Sequence, residues 1–498
     1  MSHDLKILAL NPPFLPKYSR QSRSPCVTKG GTIYYPYYLA YAAGAAEQAG
    51  FAVKLADGVT NGWSQDDAVA EARAFGPDLV VLDTSTPSIK SDIRVATAIK
   101  AAIPTAHINL VGTFPTNMTQ ECFRMSPAID SVCRGEYDNT ITSLANHLAA
   151  GKDLHGVNGL SFRQAGLITN NKEPDLVSDL DALPFASQIY MKHFGEEGIK
   201  KYFYASITWP EIQILTARGC RFGCSFCNIP MKQSYRARSI KNVADEFSWI
   251  QEHMPFLSEI MLEDDTFPMD KQRTIDLCDE LIRRGIDVTW SCNARVNTDQ
   301  ETMQRMKEAG CRLMCVGFES PTQSSLNAVV KGQTDGMEKT FMNATRKSGL
   351  LVNGCFILGL PSDTPETMQA TINFAKDLNP NSAQFYPLMV YPGTGAYAWA
   401  KSNNFLATED WDQWLTDEGL HNTTVSRPGL SREELLHWCN KARLNFYTNP
   451  KFLGKMMKQA VADPREAVRI AKGSKVLFKH LLRYATSDEG KVSQKQAA

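Results

Sequence analysis

Three cysteines, Cys220, Cys224 and Cys227, stand at spacings of four and three residues in the stretch Cys-Arg-Phe-Gly-Cys-Ser-Phe-Cys. A tight loop with this spacing can turn three sulfurs toward one centre, and cysteine thiolates are the ligands of iron-sulfur cubanes. Three local ligands for four irons leave one iron open. A zinc site or buried structural cysteines are the alternatives, but zinc needs a fourth ligand, and no second CxxC or HxxxH knuckle follows the loop.

The loop, with the aromatic Phe226 before its last cysteine, resembles the CxxxCxxC loop of the radical S-adenosylmethionine (SAM) superfamily. The resemblance implies that Cys220, Cys224 and Cys227 ligate a 4Fe-4S cluster whose open iron chelates the amino and carboxylate groups of SAM. Reductive cleavage of SAM then yields a 5'-deoxyadenosyl radical, and an external one-electron reductant, a flavodoxin or ferredoxin, supplies the electron. In such enzymes the cofactor supplies the chemistry, and the protein supplies position and shielding.

The same resemblance assigns further residues that follow predicted strands to SAM. It places Glu263 and Asp264 at the amino group, Arg295 at the carboxylate, and Glu319 and Ser320 at the ribose. These roles are chemically sensible, because an acid accepts from an ammonium and a guanidinium pairs with a carboxylate in bidentate fashion. Solvated loop carboxylates and an ordinary surface arginine are the alternatives. No residue is assigned as general acid or base.

The elements that must position these residues form a repeated strand-helix pattern between residues 205 and 400. Six such units match the superfamily's partial (β/α)6 barrel, and barrels of this kind place their ligands at the carboxyl ends of the strands. The predicted strands are 212–215, 259–262, 288–292, 313–318, 353–358 and 383–388. The predicted helices are 243–252, 274–284, 302–309, 334–348 and 365–376.

Residues 1–150 show a second alternation of short apolar runs and helical segments. This pattern predicts a Rossmann-like, doubly wound α/β domain, with a ligand site at the carboxyl ends of its strands. The predicted strands are 5–10, 52–56, 79–83, 108–111 and 131–133. The predicted helices are 38–49, 65–75, 89–102, 118–125 and 140–150.

The loops at those strand ends resemble a cobalamin-binding domain of the kind that precedes many radical SAM modules. The resemblance implies that Thr84, Ser85, Thr86, Gly112 and Thr113 contact cobalamin. The familiar Asp-x-His-x-x-Gly signature is absent, so the axial ligand of cobalt is left open. A Rossmann-like domain without a cofactor is the alternative, because small and hydroxylated residues also occur in ordinary turns.

Two further segments are less regular. Residues 151–204, rich in glycine and Asp/Asn, are interpreted as a linker with a short hairpin near 160–168. Residues 401–498 are predicted to be helical, with a basic amphipathic tail beyond residue 450. Such helices can contact anionic membranes, which makes peripheral membrane contact one interpretation and a solvated cap over the barrel the other.

Composition sets outer limits on function. The 498-residue chain has a formal net charge of zero and 43% hydrophobic residues, which gives no indication of nucleic-acid binding. No signal-like N-terminus or membrane-length apolar run is present, and the nine cysteines outside the loop are scattered, so a cytoplasmic protein with reduced thiols is expected. An oxygen-sensitive cluster fits that environment.

The order of the segments resembles the cobalamin-dependent radical SAM enzymes. The resemblance implies a methyltransferase that acts on an unactivated carbon of a small-molecule or lipid-type substrate. The adenosyl radical would abstract a hydrogen and methylcobalamin would deliver the methyl group. A cyclase or carbon-skeleton rearrangement uses the same cofactors and stays open as an alternative. An iron-sulfur electron-transfer protein or a zinc-binding module is the alternative from another class.

Overall fold

The computed structural model describes residues 4–229, 231–462, 464 and 466–471. These residues form an N-terminal sheet with helices on both faces, a central partial barrel and a C-terminal segment that ends in two helices. Both expected parallel sheets are therefore present. The predicted tail beyond residue 471 lies outside the described residues.

The N-terminal sheet has seven strands in the order β2-β1-β3-β4-β5-β6-β7. The first five strands are parallel. Because β2 is added on one side of β1 and β3 to β5 on the other, the topological switch point lies between β1 and β3, and the carboxyl ends of these two strands are the expected ligand site. The strands are β1 (Lys6–Asn11), β2 (Ala52–Asp57), β3 (Leu79–Thr84), β4 (His107–Gly112), β5 (Ser131–Cys133), β6 (Leu160–Gln164) and β7 (Leu167–Asn170). The hairpin predicted in the linker is β6–β7, and it extends this sheet in antiparallel fashion.

Seven helices accompany this sheet. They are α1 (Tyr37–Gln48), α2 (Gln65–Phe75), α3 (Ile89–Ala102), α4 (Thr113–Asn117), α5 (Thr119–Met125), α6 (Asp138–Ala149) and α7 (Ala186–Ile199). Local sequence determines both ends of α2, which begins at a Ser64–Asp67 capping box and ends at Gly76 in the left-handed conformation. The sequence interpretation missed α7, because Gly195 interrupts the helical backbone and weakens the apolar period.

The central sheet has six parallel strands in chain order, from β8 at one edge to β15 at the other. The two edge strands are not paired with each other, so the barrel is partial, and the six predicted strands are confirmed. Its strands are β8 (Glu211–Ile214), β11 (Glu259–Leu262), β12 (Trp290–Ala294), β13 (Cys311–Glu319), β14 (Leu351–Leu358) and β15 (Ser382–Pro387). Two short strands, β9 (Ala217–Arg218) and β10 (Arg236–Ala237), lie outside this sheet. Strands β9 and β10 form a separate antiparallel pair.

The remaining helices cover the barrel. They are α8 (Ile240–His253), α9 (Lys271–Arg283), α10 (Gln300–Glu308), α11 (Gln323–Ala328), α12 (Met337–Ser348), α13 (Pro365–Leu378), α14 (Gly395–Ser402), α15 (Arg432–Tyr447) and α16 (Pro450–Ala462). Residues 403–431, which were expected to be helical, hold only a short 3-10 turn at Trp411–Trp414. Gly419, Pro428 and Gly429 oppose a helix there. No helix of the described residues is long and apolar enough to cross a membrane.

Buried ion pairs join the N-terminal domain to the barrel. Arg218 on β9 donates to Glu136 at 2.6 Å and to Asp138 at 2.7 Å, and all three side chains are almost fully buried. Arg236 on β10 adds a second contact to Glu136 at 2.8 Å. Because both carboxylates follow β5 and both arginines flank the cysteine loop, these pairs hold the strand ends of the N-terminal sheet against that loop.

We expect Arg218→Met to lower the stability of the protein by about 3–5 kcal/mol, because it leaves buried carboxylates without their main partner. The shift in the midpoint of urea unfolding measures this loss. Arg283→Met is the matched control, since Arg283 pairs with Glu280 on the surface of α9, and such a change costs about 0.5 kcal/mol or less. Equal midpoints for the two variants would contradict this view of the interface.

Candidate active site

The cysteine loop lies at the carboxyl end of β8 and is closed at its base by the β9–β10 pair. Gly219 begins the loop with a φ of 81°, and a Cβ there would lie 2.6 Å from the carbonyl oxygen of Ser234. Only glycine fits this turn. The side chains of Cys220 and Cys224 are buried and that of Cys227 is half-buried, and all three are free thiols.

Positive groups surround these sulfurs. Arg295 lies with its guanidinium 3.7 Å from the centre of the Phe222 ring and its Nη1 3.6 Å from Cys224 Sγ. Lys232 donates to the carbonyl oxygen of Cys224 at 2.6 Å. Burial, aided by Asp265, raises the pKa of Cys227 to about 12, so the free thiol stays protonated. Thiolates in this loop therefore require a bound cation or cluster to compensate their charge.

The arrangement of the three thiols is relevant to which metal group they can bind. Among the described residues, no three His, Cys, Asp or Glu side chains converge closely enough to hold one metal ion. A cubane takes one sulfur at each of three irons and spreads them more widely than a single ion does. In this structure, therefore, the three thiols of the loop are not gathered around a single ion.

Glu263, directly after β11, presents a free carboxylate oxygen. Its Oε2 accepts from Asn293 at 3.0 Å and from Arg23 at 3.4 Å, whereas the buried Oε1 has no hydrogen-bond partner in the described part of the chain. Burial raises the pKa of this carboxyl group. A buried acceptor without a donor is costly, so an incoming ammonium group would satisfy it.

Asp264 uses its side chain differently. Its Oδ1 accepts from the backbone nitrogens of Thr216 and Ala217 at 2.6 and 3.1 Å, and its Oδ2 accepts from the Thr216 hydroxyl at 2.5 Å. The carboxylate thus ties the end of β11 to the residues that lead into the cysteine loop. Its main contribution in this structure is to position that loop.

Glu319 and Ser320 lie at the end of β13. Glu319 has a φ of 61° and forms a buried ion pair of 2.6 Å with Lys331, and a Cβ at Gly317 would lie 2.4 Å from its Oε1. Ser320 is fully buried and accepts from the Thr322 nitrogen at 3.2 Å. Phe226, predicted beside the cluster, packs half-buried with Lys331 6.0 Å from its ring. Lys331, which no sequence motif indicated, links these residues.

The N-terminal strand ends form a close-packed polar surface. Gly112 ends β4 with a φ of 117°, and a Cβ there would lie 2.2 Å from the carbonyl oxygen of Thr84. Ser85 shares a 2.7 Å hydrogen bond with the Tyr18 hydroxyl, and Thr86 is buried beside it. The Thr113 hydroxyl lies 3.5 Å from Asn228 Nδ2, in the residues that follow the last cysteine.

Asp83, on β3, is a fully buried carboxyl group in this surface. One oxygen accepts from Gln21, but Oδ1 has no partner among the described residues, and the nearby Tyr137 hydroxyl lacks one too. Burial raises the pKa of Asp83 to about 7 against the opposing effect of Arg20. Two unsatisfied polar atoms, one on β3 and one after β5, lie at the carboxyl edge of the same sheet and indicate a surface built for a polar ligand.

A small cavity of about 40 Å³ lies between the two domains at this point. Its walls include Thr84, Gly112 and Thr113 from the N-terminal sheet, and Asn228 and Asp265 from the barrel. The structure thus brings three predicted cobalamin-contacting residues opposite Asn228, which directly follows the cysteine loop. The other predicted site residues do not line this cavity: Cys220, Cys224, Cys227, Phe226, Glu263, Asp264, Arg295, Glu319, Ser320, Ser85 and Thr86.

The loop between β1 and α1 spans both sides of the cavity. Arg20 pairs with the buried Asp92 at 2.7 Å, on the N-terminal side. Arg23 donates to the carbonyl oxygens of Glu263 and Asp264 at 3.2 and 3.1 Å, on the barrel side. The sequence carries no signal for these contacts, because Arg23 and Glu263 are 240 residues apart in the chain.

Two family models match the chain, and each matched range lies within the residues that form one of the two domains described above. The model of the Radical SAM superfamily matches residues 214–375, and the model of the B12 binding domain matches residues 23–145.

Similar proteins match the full order of these segments. An uncharacterized methyltransferase of Pyrococcus horikoshii is 30% identical over 429 residues, which are 85% of this chain and 90% of that protein. The anaerobic magnesium-protoporphyrin IX monomethyl ester cyclase of Rubrivivax gelatinosus is 28% identical over 84% of this chain and 74% of its own length. The structure of the radical SAM methyltransferase TsrM from Kitasatospora setae, with cobalamin and a [4Fe-4S] cluster bound, superposes with a TM-score of 0.68 at 18% identity, covering 91% of this chain and 90% of that one.

The buried Asp83 predicts a pH dependence of stability. The unfolded state releases this proton near the ordinary carboxyl pKa of about 4, and the folded state holds it until about pH 7. Because the native state binds the extra proton in this range, stability falls as pH rises from about 4 to about 7. Urea unfolding at several pH values should show that Asp83→Asn loses this contribution, with a limiting slope of about 1.4 kcal/mol per pH unit.

Asp66→Asn, at an exposed position on α2, serves as the matched control and should keep the wild-type slope. An Asp83→Asn profile parallel to that of wild type would show that Asp83 ionises normally in the folded protein.

Proposed function

The chain belongs to the cobalamin-binding radical SAM enzymes, and we propose that it methylates an unactivated carbon of a small-molecule or lipid-type biosynthetic intermediate. The observation that carries this proposal is the cavity between the domains, where the strand ends of the B12-binding sheet lie opposite Asn228 and Ile229, which directly follow the cysteine loop. Two reagents held on facing surfaces act on one substrate atom without a diffusional step.

In this proposal Cys220, Cys224 and Cys227 hold a 4Fe-4S cluster. Their surroundings fit the group, because Arg295 and Lys232 place positive charge beside sulfurs that must become anionic. SAM fits beside them, since the unpartnered Oε1 of Glu263 suits an ammonium donor and Arg295 suits a carboxylate. The pair of Glu319 with Lys331 lies next along the strand ends and is assigned to the ribose side.

Cobalamin is assigned to the surface of Thr84, Ser85, Thr86, Gly112 and Thr113. The donor set fits, because hydroxyls cluster here with the unsatisfied Asp83 oxygen. The cavity itself is far smaller than a corrin ring, since side chains of residues 20–23 line it and fill its space. Binding of cobalamin therefore requires the side chains of Gln21, Ser22 and Arg23 to move out of this space, while the buried Arg20–Asp92 pair keeps the loop attached to the N-terminal domain.

When bound, the cluster and SAM supply a 5'-deoxyadenosyl radical, and cobalamin supplies the methyl group. The chain's own residues orient the reagents and exclude water. Asp264 holds the residues that lead into the cysteine loop, and Glu263 orients an ammonium group. The buried Arg20–Asp92 pair anchors the loop of residues 14–32 to the N-terminal domain. An external one-electron reductant completes the proposal.

The proposal also includes peripheral contact of the protein with an anionic membrane. Leu453 and Met457 are exposed on one side of α16, and Lys451 and Lys458 are exposed on the other, so this helix has an exposed apolar face with basic side chains behind it. Such a face can rest on anionic lipid. It would bring the protein to a lipid-type substrate.

The test supplies the anaerobically reconstituted protein with SAM carrying a deuterated methyl group, reduced flavodoxin and a metabolite extract of lipids and small molecules. We expect a product that carries the labelled methyl group, with 5'-deoxyadenosine and S-adenosylhomocysteine formed in equal amounts. The Cys220→Ala/Cys224→Ala/Cys227→Ala variant should lose 5'-deoxyadenosine and product while it keeps its bound cobalamin. Cys278→Ala, a buried thiol on α9, is the matched control and should behave as wild type.

A product that loses hydrogens without gaining the label would overturn methyl transfer in favour of ring formation, as the similarity to the cyclase allows. Absence of 5'-deoxyadenosine from a wild-type protein that contains the cluster would overturn the radical reaction itself.

A further inference from the structure

A second cavity, of about 550 Å³, lies beside the barrel on the side of β15. Its wall is formed mainly by the loop of residues 22–34, the strands β14 and β15, and the helices α15 and α16, and residues 204–206, 420–421 and 469–470 complete it. Ser22 lines both this cavity and the small cavity between the domains, so the two spaces adjoin. The cavity is large enough for a ligand of ordinary drug or metabolite size.

Most of its wall is apolar. Phe385, Tyr386, Phe452 and Met456 contribute large side chains. Leu453 and Met457 lie at its border on α16 and are 40% and 67% exposed, so apolar surface continues from the cavity onto the outer face of that helix. A wall of this kind binds the apolar body of a ligand by burying its surface.

Two cations interrupt the apolar wall. Arg443 donates to Asn440 Oδ1 at 2.8 Å and to the carbonyl oxygen of Phe385, and Lys29 Nζ lies 3.5 Å from the same Asn440 oxygen. Neither cation forms an ion pair with a carboxylate of the described residues. Burial, helped by Arg443, lowers the pKa of Lys29 to about 7, and burial lowers the pKa of Arg443.

The other charged or titratable groups near these cations offset them only in part, since Glu418, Cys26 and Cys439 oppose the lowering of the Lys29 pKa but burial outweighs them. Arg469 is already paired with Glu466 at 2.8 Å. His421 is neutral, because burial lowers its pKa to about 3, and its Nε2 is within 2.9 Å of the Ser24 hydroxyl. Two adjacent cations in an apolar cavity are unfavourable alone and become favourable when an anion binds between them.

We propose that this cavity holds the substrate, and that the substrate is an anionic amphiphile whose carboxylate or phosphate binds Lys29 and Arg443 while its apolar body lies against β15 and α16. This inference rests on the proposed function and specifies the substrate class. Anchoring at Lys29 and Arg443 would hold the apolar body of the substrate in a cavity that adjoins the small cavity between the N-terminal domain and the barrel.

The test uses two fluorescent probes with the same apolar body and the anaerobically reconstituted protein. 8-Anilinonaphthalene-1-sulfonate carries an anion, and N-phenyl-1-naphthylamine does not. We expect Lys29→Gln and Arg443→Gln each to weaken binding of the sulfonate by about tenfold, since a charge-assisted hydrogen bond is lost, and to leave the neutral probe unchanged. Lys441→Gln, two residues from Arg443 on α15 and outside the cavity lining, is the matched control and should change neither affinity.

Retained binding of the neutral probe shows that the cavity of each variant is intact. Competition with dodecanoate and with dodecyl phosphate then distinguishes a carboxylate from a phosphate head group. Equal binding of both probes to wild type, equal loss of both in the variants, or failure of both amphiphiles to compete would overturn the inference. Selective sulfonate binding without labelled methyl transfer would overturn only the proposed function, and methyl transfer without selectivity would overturn only this inference.

Discussion

The buried ion pairs of Arg218 with Glu136 and Asp138 fix how the two sheets face each other. They join the residues after β5 directly to the base of the cysteine loop, and Arg236 strengthens the same contact from β10. A parallel sheet offers its ligand site only at the carboxyl ends of its strands. With both sheets held end to end, a group bound on one must lie close to a group bound on the other.

The loop between β1 and α1 depends on that arrangement. Arg20 is anchored in the N-terminal domain and Arg23 on the barrel, while Lys29 reaches the C-terminal helix α15. The loop between β1 and α1 therefore lines both the small cavity between the domains and the large cavity beside β15.

Sequence alone predicted the features that depend on local pattern. The cysteine spacing, the six barrel strands and the five parallel strands of the first sheet all follow from motifs or apolar periods within a few residues. The sequence could not predict features made by distant residues, such as Lys331 with Glu319 or Lys29 beside Arg443. It also missed α7, whose period is broken by Gly195, and it expected helix in 403–431, where glycine and proline prevent it.

Electron paramagnetic resonance of the reduced, fully reconstituted protein tests the central claim that both cofactor surfaces face one space. The reduced cluster and cobalt(II) cobalamin each carry an unpaired electron. If they lie across the cavity bounded by Thr84 and Asn228, their signals should broaden or split each other, and the cobalt signal should sharpen in the Cys220→Ala/Cys224→Ala/Cys227→Ala variant. A spectrum equal to the sum of the two separate signals would contradict the shared space.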